Sequence, residues 1–254
     1  MRIDRGEGLP LVTRRTALGL LGAAATVPLA APGGVAMAEE SKPTERRRIY
    51  PGDHVPKPLA FDPKQLMGLS EKLLVSHHEN NYAGAVKRLN AIEAQLAALP
   101  REAAPFQMGS LKREALIAAN SMHLHQLYFA NLGGKGVADG PFTTLARAQF
   151  GSVEAWEHDF RLTGLSLAGG SGWVIATYDG ERGALHNVWA WDHMHGLTGG
   201  MPLLVMDMYE HSYHMDYGAN AKGYVDAFFA NLRFEEVDRR LGAATRGREG
   251  EGRS

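Results

Sequence analysis

The chain of 254 residues contains no cysteine. This absence excludes disulfides, zinc–thiolate sites, iron–sulfur clusters and thiol nucleophiles, so any metal must be held by nitrogen and oxygen ligands. The sequence also lacks an excess of one charge: 27 basic and 28 acidic side chains give a formal net charge of -1, which argues against a nucleic-acid partner. The 44% of hydrophobic residues suffice for a globular core of one large or two small domains, and the 11 histidines are the first candidate metal ligands.

The first 38 residues have the pattern of an export signal rather than of a folded element. Arg14 and Arg15 precede an apolar run over 17–31, and a small-x-small cleavage site ends at Ala38. Paired arginines before a moderately hydrophobic stretch are typical of a twin-arginine signal, which directs a folded protein across the membrane. A membrane anchor is the alternative, but the run is short for a span and Pro28 interrupts it. We expect cleavage near Ala38 and a periplasmic or secreted protein that has no membrane attachment once residues 1–38 are removed.

Composition and hydrophobic spacing divide the remainder of the chain. Residues 39–60 are polar and contain prolines, which predicts a solvated arm, and the charged, glycine-rich residues 245–254 predict a disordered tail. Apolar residues recur at helical spacing over 70–99 and 111–132. Two long helices with a short connection predict an antiparallel helical hairpin, in a domain that spans residues 61–140.

The second part, residues 141–244, is predicted to contain short strands among helices. Strands are expected at 172–178, 184–191 and 203–208, with Asp179 and Gly180 in the first hairpin turn. Further helices are expected at 152–166, 221–232 and 234–243. A helical hairpin followed by a small three-stranded antiparallel sheet with surrounding helices is an α+β fold.

Three histidines and one aspartate form the candidate metal ligands. His77 and His125 lie on the apolar faces of the two hairpin helices, and Asp207 and His211 lie four residues apart at the end of the last predicted strand. A lone buried histidine is more often a hydrogen-bonded core residue, but facing helices can bring two imidazoles toward one point. Asp207 and His211 can bind the same ion only if a turn begins between them. This donor set suits iron, manganese or zinc, and the zinc-protease pattern His-Glu-x-x-His is absent from the chain.

The segment Asp207-Met208-Tyr209-Glu210-His211 resembles the Asp-x-Trp-Glu-His signature of the iron and manganese superoxide dismutase family. The resemblance covers about Phe61 to Leu241 and includes Gly170-Ser171-Gly172-Trp173 before the first strand. It implies that His77, His125, Asp207 and His211 bind one iron or manganese ion per subunit. It also implies that the substrate is superoxide, which is converted to oxygen and hydrogen peroxide, and that the protein is a homodimer or a dimer of dimers.

The chain departs from the family pattern after the first ligand. The family usually has a histidine four residues and a tyrosine eight residues after it, where this chain has Asn81 and Ala85. In the family that tyrosine controls substrate access and hydrogen-bonds to the residue that holds the metal-bound solvent, so its loss puts the usual proton relay in question. Tyr82 is not expected to replace it, because a helical step of roughly 100° per residue turns its side chain away from the Ala85 direction.

The resemblance also assigns residues around the ligands. It implies that Trp173, Tyr128 and Phe129 form the walls of the pocket. His193 fits the position of the glutamine that holds the metal-bound solvent, and the alternative is that His193 and His195 are ordinary polar loop residues.

Three further residues are expected at the dimer interface. Glu210 is expected to orient the partner subunit's His211. Asn81 and His214 occupy the positions of a histidine and a tyrosine that meet across the dimer in the family.

Two other functions are compatible with these residues. The departures at Asn81 and Ala85 suit an exported metal-binding homologue with weak or no dismutase turnover. A zinc ion in the same pocket would instead favour hydrolysis, since zinc cannot cycle by one electron.

Overall fold

The computed structural model describes residues 49–251, which lie within one compact unit. The predicted export signal and the first part of the predicted arm lie outside the described residues. Within residues 49–251, none of the helices combines the length and the hydropathy needed to cross a membrane.

The first predicted helix is one continuous helical rod in three parts. The α-helix α1 (Glu71–Ser76) begins where the Ser70 hydroxyl accepts a hydrogen bond from the backbone N–H of Leu73, and it passes into a π-helical segment, His77–Tyr82. The α-helix α2 (Ala83–Ala98) continues the rod until Pro100 follows it. The predicted helix is confirmed, but its π-helical segment has a larger hydrogen-bonded loop than an α-helix, and no residue pattern indicates it.

The second long helix, α3 (Pro105–Ala130), packs along α2 and completes the predicted hairpin. It begins six residues earlier than the apolar pattern indicated, because Pro105 occupies the first helical turn, where its missing N–H is not needed. The short helix α4 (Pro141–Phe150) was not predicted, and α5 (Val153–Leu165) begins at the predicted Ser152 cap.

Three antiparallel strands form the sheet in the order β2-β1-β3: β1 (Trp173–Asp179), β2 (Ala184–Ala190) and β3 (Gly200–Asp207). The α+β prediction is therefore confirmed. The central strand β1 is buried over Trp173 to Tyr178, and its first residue pairs with Asp207, the last residue of β3. Gly172 precedes it at φ 145°, where a Cβ atom would lie 2.3 Å from the Ala190 carbonyl oxygen.

The remaining helices are α6 (His214–Tyr217), α7 (Ala221–Ala230) and α8 (Phe234–Glu251). The predicted disordered tail differs from the structure, because α8 continues through its first residues to Glu251. The side chains of Leu241 and Ala244 are buried in the core, so the helix packs against the protein up to the predicted end at 243 and continues beyond it.

The second half of the predicted solvated arm is attached to the hairpin. The backbone N–H of Gly52 donates to Glu93 at 2.7 Å, and the His54 ring lies 3.1 Å from the same carboxylate. The backbone N–H of Lys57 donates to the Tyr82 hydroxyl at 2.9 Å. The polar residues that suggested a solvated arm therefore act as hydrogen-bonding partners of α2 and of the π-helical segment.

Arg240 joins the two elements that carry His125 and Asp207. Its buried guanidinium donates to the Asn131 side chain at 2.6 Å and to the Leu203 carbonyl at 2.8 Å, and it also pairs with Glu236. Burial lowers the pKa of Arg240 to about 10, which leaves it charged at neutral pH. The C-terminal end of α3 is thereby held against β3.

Replacing Arg240 by methionine is expected to lower the free energy of unfolding by about 3 kcal/mol, because buried acceptors lose a charged donor. Urea unfolding measures this change. Arg239→Met is the matched control: Arg239 also pairs with Glu236 but is 65% exposed, so a change within about 0.5 kcal/mol is expected. Equal effects of the two substitutions would show that the buried contacts of Arg240 are not what stabilises the fold.

Candidate metal centre

The fold brings the four predicted ligands together from distant parts of the chain. His77 begins the π-helical segment, His125 lies near the end of α3, and Asp207 ends β3. A 3-10 turn, Glu210–Ser212, follows at once and supplies the turn that His211 requires. One ligand atom from each of the four side chains lies within 4.8 Å of every other.

Asp207 is the residue around which the three imidazoles converge. Its Oδ2 atom lies 3.0 Å from His77 Nε2, 3.2 Å from His211 Nε2 and 3.6 Å from His125 Nε2. Bonds of about 2.0–2.2 Å from one ion to nitrogen and oxygen place neighbouring ligand atoms roughly 3.0–3.6 Å apart. The spacing of the donors therefore fits one ion.

One backbone N–H group and two side-chain hydroxyls hold Asp207 in place. Its Oδ1 atom accepts a hydrogen bond from the backbone N–H of Tyr209 at 2.9 Å. Its carbonyl oxygen accepts from the Ser212 hydroxyl at 2.8 Å and from the Tyr224 hydroxyl at 2.6 Å. The orientation of the carboxylate is thus fixed by the chain itself.

The tautomer of His125 tests whether a cation fits this site. Its Nδ1 atom lies 2.6 Å from the Ser121 carbonyl oxygen, which can only accept, so the ring proton is on Nδ1. Nε2 then carries a lone pair, is buried, and has no hydrogen-bond partner among the described residues. It faces the Asp207 carboxylate at 3.6 Å. Two buried acceptors directed at each other are unfavourable unless a cation lies between them, so these residues fit a metal ion.

Burial and mutual charge set the protonation of the cluster. Burial is the main cause that lowers the pKa of His125 to about 3, and it also lowers the pKa of His77. Burial opposes the ionised form of Asp207, but the charge of His211 and hydrogen bonds from the histidines outweigh it, so the pKa of Asp207 falls below its usual range. Burial opposes the charged form of His211, but the Asp207 carboxylate outweighs it and raises the pKa of His211. Neutral imidazoles and an ionised carboxylate are the forms that bind metal, so His211 would release its proton when an ion binds.

The predicted wall residues lie directly against the ligands. The ring of His77 has its centre 5.1 Å from that of Tyr128 and 4.9 Å from that of Phe129, and the ring of His125 lies 5.0 Å from Trp173. All three aromatic side chains are buried. They exclude solvent from the buried side of the cluster. His211 is partly accessible to solvent, with 27% of its side chain exposed.

His193 also lies beside the cluster. The Trp173 indole donates from Nε1 to His193 Nδ1 at 2.9 Å, so the proton of the neutral ring is on Nε2. Burial lowers the pKa of His193, which favours this neutral form. His195 instead lies 2.7 Å from the Asp192 carboxylate, so the two loop histidines have different surroundings.

Residues predicted at the dimer interface are at or near the surface of the subunit. Glu210 and His214 are exposed, and Asn81 is half-buried in the π-helical segment. Tyr82, the neighbour of Asn81, is fully buried and stacks on His125 with ring centres 6.4 Å apart. The π-helical geometry changes the angular step between residues, so the direction of Tyr82 could not be worked out from an α-helical wheel.

Sequence reasoning missed the residues that support the ligands. The carbonyl oxygen of Ser121 sets the tautomer of His125, and a backbone contact of this kind leaves no mark in the sequence. Tyr224 lies 17 residues after Asp207 on a different helix, and no motif marks it. The hydroxyl of Ser212, directly after the signature, is the one contact that its place in the sequence could have indicated.

Comparisons with known proteins identify relatives of this chain. Residues 138–240 match the family description "Iron/manganese superoxide dismutases, C-terminal domain". The chain is 56% identical over 191 residues to "Superoxide dismutase [Fe]" of Cupriavidus metallidurans, a match covering 75% of this chain and 97% of that protein. It is 35% identical over 173 residues to "Superoxide dismutase [Mn] 2" of Haloferax volcanii, covering 66% and 84%, respectively. It is 30% identical over 217 residues to "Superoxide dismutase [Fe]" of Aquifex aeolicus, covering 80% and 95%.

Proposed function

The chain belongs to the iron/manganese superoxide dismutase family, and we propose that His77, His125, Asp207 and His211 hold the ion at which it acts. The protein is a superoxide dismutase, an oxidoreductase that converts superoxide to oxygen and hydrogen peroxide with iron or manganese as its cofactor. The observation that supports this ligand set most strongly is the buried lone pair of His125 Nε2, which faces the Asp207 carboxylate.

One-electron oxidation and reduction of superoxide is the chemistry that the bound iron or manganese supplies. The protein's own part is to hold the four donors in one orientation and to exclude water on the side of Tyr128, Phe129 and Trp173. His193 presents a proton at Nε2 beside the cluster, because Trp173 occupies its Nδ1 atom. Peroxide formation consumes two protons, and we assign to His193 the hydrogen bond that holds solvent or substrate next to the ion.

Counting ions tests this assignment directly. Elemental analysis of the protein purified from its own host is expected to give about one iron or manganese ion per subunit, since the structure contains one such cluster among its described residues. Dismutase activity should rise in proportion to the occupancy of that ion across partly loaded samples. Full activity in metal-free protein would contradict the assignment.

We also propose that the protein is exported by the twin-arginine route and works in the periplasm or outside the cell. This proposal rests on the pattern of Arg14, Arg15 and the apolar run that follows. Replacing both arginines by lysine is expected to leave the precursor in the cytoplasm, as fractionation of the host cells would measure. The doubly substituted precursor reaching the periplasm at the rate of the wild type would rule out the twin-arginine signal.

A homodimer, or a dimer of dimers, is proposed for the mature protein. The exposed Glu210 and His214 and the half-buried Asn81 support it, since all three are available to a partner subunit. Glu210 would orient the partner subunit's His211. Sedimentation equilibrium of the purified chain tests the subunit count, and a monomer at micromolar concentration would contradict it.

A further inference from the structure

His193 is placed beside the metal cluster by a loop rather than by a helix or strand. The loop runs from the end of β2 at Ala190 to the start of β3 at Gly200. The Trp173 indole fixes one ring nitrogen of His193, and the Tyr209 ring stacks on it with centres 4.9 Å apart and planes 16° apart. These contacts orient the ring, but the distance of the ring from the ion also depends on where the loop backbone lies.

Asn120 provides a contact to that backbone. Its side-chain Nδ2 donates to the His193 carbonyl oxygen at 2.6 Å. Asn120 lies on α3, five residues before the candidate ligand His125. At roughly 100° per residue the two side chains leave the helix in directions about 140° apart, so α3 can direct His125 toward Asp207 and Asn120 toward the loop.

The loop has internal contacts that shape it without fixing its distance from α3. Asp192 Oδ1 accepts a hydrogen bond from the backbone N–H of Met194 at 2.6 Å, and it lies 2.7 Å from His195 Nδ1. A cavity of about 300 Å³ separates part of the loop from α3, and Asn120, His123, Met194 and His195 are among the residues that line it. Side-chain packing therefore does not fill the space between this part of the loop and the helix. The hydrogen bond from Asn120 to the His193 carbonyl, at the edge of the cavity, then contributes more to the distance between them.

We propose that Asn120 is a positioning residue for the reaction, which sets the distance of His193 from the metal cluster by tying the loop backbone to the helix that carries His125. The inference rests on the role proposed above for His193. A residue can change the reduction potential of a metal ion without binding it, by orienting a side chain that hydrogen-bonds to a ligand or to solvent on the ion. Asn120 is thus expected to influence the metal while leaving its ligands intact.

Asn120→Leu removes the donor while nearly preserving the side-chain volume. We expect the variant to retain the metal content of the wild type and to lose roughly tenfold in activity. The midpoint potential of the bound metal and its affinity for azide are measured alongside activity, and both are expected to shift in the direction given by His193→Ala. The control is His123→Leu, which changes a residue on the wall of the same cavity; its values should stay within about twofold of the wild type.

A double-mutant cycle separates a positioning role from a general structural one. In the His193→Ala background, Asn120→Leu is expected to cause no further shift in potential or azide affinity. Equal shifts in both backgrounds, or a shift no larger than that of His123→Leu, would overturn the inference while leaving the role of His193 intact. A normal potential in His193→Ala itself would overturn both. If Asn120→Leu folds poorly, Asn120→Ser replaces it in the same cycle.

Discussion

Replacing His125 by alanine is expected to abolish metal binding at the cluster and to lower dismutase activity by more than about a hundredfold. Substituting a residue that only hydrogen-bonds to a metal ligand already lowers metal affinity or activity roughly 10–100-fold, and the loss of a ligand should cost more. The physical reason is the fixed tautomer of His125. The Ser121 carbonyl holds the proton on Nδ1, so Nε2 faces the Asp207 carboxylate as a lone pair that a metal ion between the two groups would satisfy. Alanine removes this donor, and the methyl group cannot replace it. Activity assays and elemental analysis of the purified variant measure both effects.

The control for this prediction is His158→Ala. His158 is exposed on α5, away from the four ligands, so its loss removes an imidazole of the same chemistry without changing the cluster. Activity and metal content close to those of the wild type are expected. Urea unfolding of both variants checks that each is folded. Equal rates for His125→Ala and the wild type would remove this site from the chemistry of the protein.

The four candidate ligands could be found in the sequence because each belongs to an element with a strong local signal. His77 and His125 share a spacing of three or four residues with the apolar faces of their helices, and both faces are buried. Asp207 and His211 needed a turn between them, and the 3-10 turn at Glu210–Ser212 supplies it. Local periodicity and donor chemistry therefore grouped these four residues as candidate metal ligands, and the family resemblance implied that they bind one ion.

The residues around the candidate ligands were harder to predict from the sequence, because their roles depend on contacts between distant parts of the chain. The hydroxyl of Tyr224 reaches the Asp207 carbonyl from α7, and the amide of Asn120 reaches the His193 carbonyl from α3. Nothing in the local sequence distinguishes these side chains from ordinary helix residues. The π-helical segment is a similar case, since apolar spacing over 70–99 fits a regular helix equally well.

Departures from the family pattern can be interpreted from the same contacts. Ala85 occupies the position of the usual tyrosine and is buried, so the side chain that normally controls access there is replaced by a methyl group. The hydroxyl of Tyr82 accepts a hydrogen bond from the backbone N–H of Lys57, and its ring stacks on that of His125. His193 keeps its neutral ring and its Nε2 proton through Trp173. With the role proposed above for His193, the part of the relay nearest the ion would be retained, although its outer part differs.

Exchanging the bound ion for zinc is expected to eliminate dismutation while leaving the protein folded and loaded. Three imidazoles and one carboxylate are ligands that zinc also accepts, so the donor set alone does not distinguish the metals. Zinc has no accessible one-electron couple, and superoxide dismutation requires the ion to gain and lose one electron in turn. The zinc form should therefore bind about one ion per subunit and show activity at the level of the metal-free protein.

Reloading the same metal-free preparation with iron or manganese completes this experiment. Activity is expected to return with at least one of them, because the relatives include enzymes named for each metal. Elemental analysis confirms occupancy in every sample, so a low rate can be assigned to the chemistry of the ion rather than to its loss. The competing hydrolytic function predicts the opposite pattern, with esterase activity in the zinc form. Dismutation by fully zinc-loaded protein would show that electron transfer through the ion at His77, His125, Asp207 and His211 is not how this protein works.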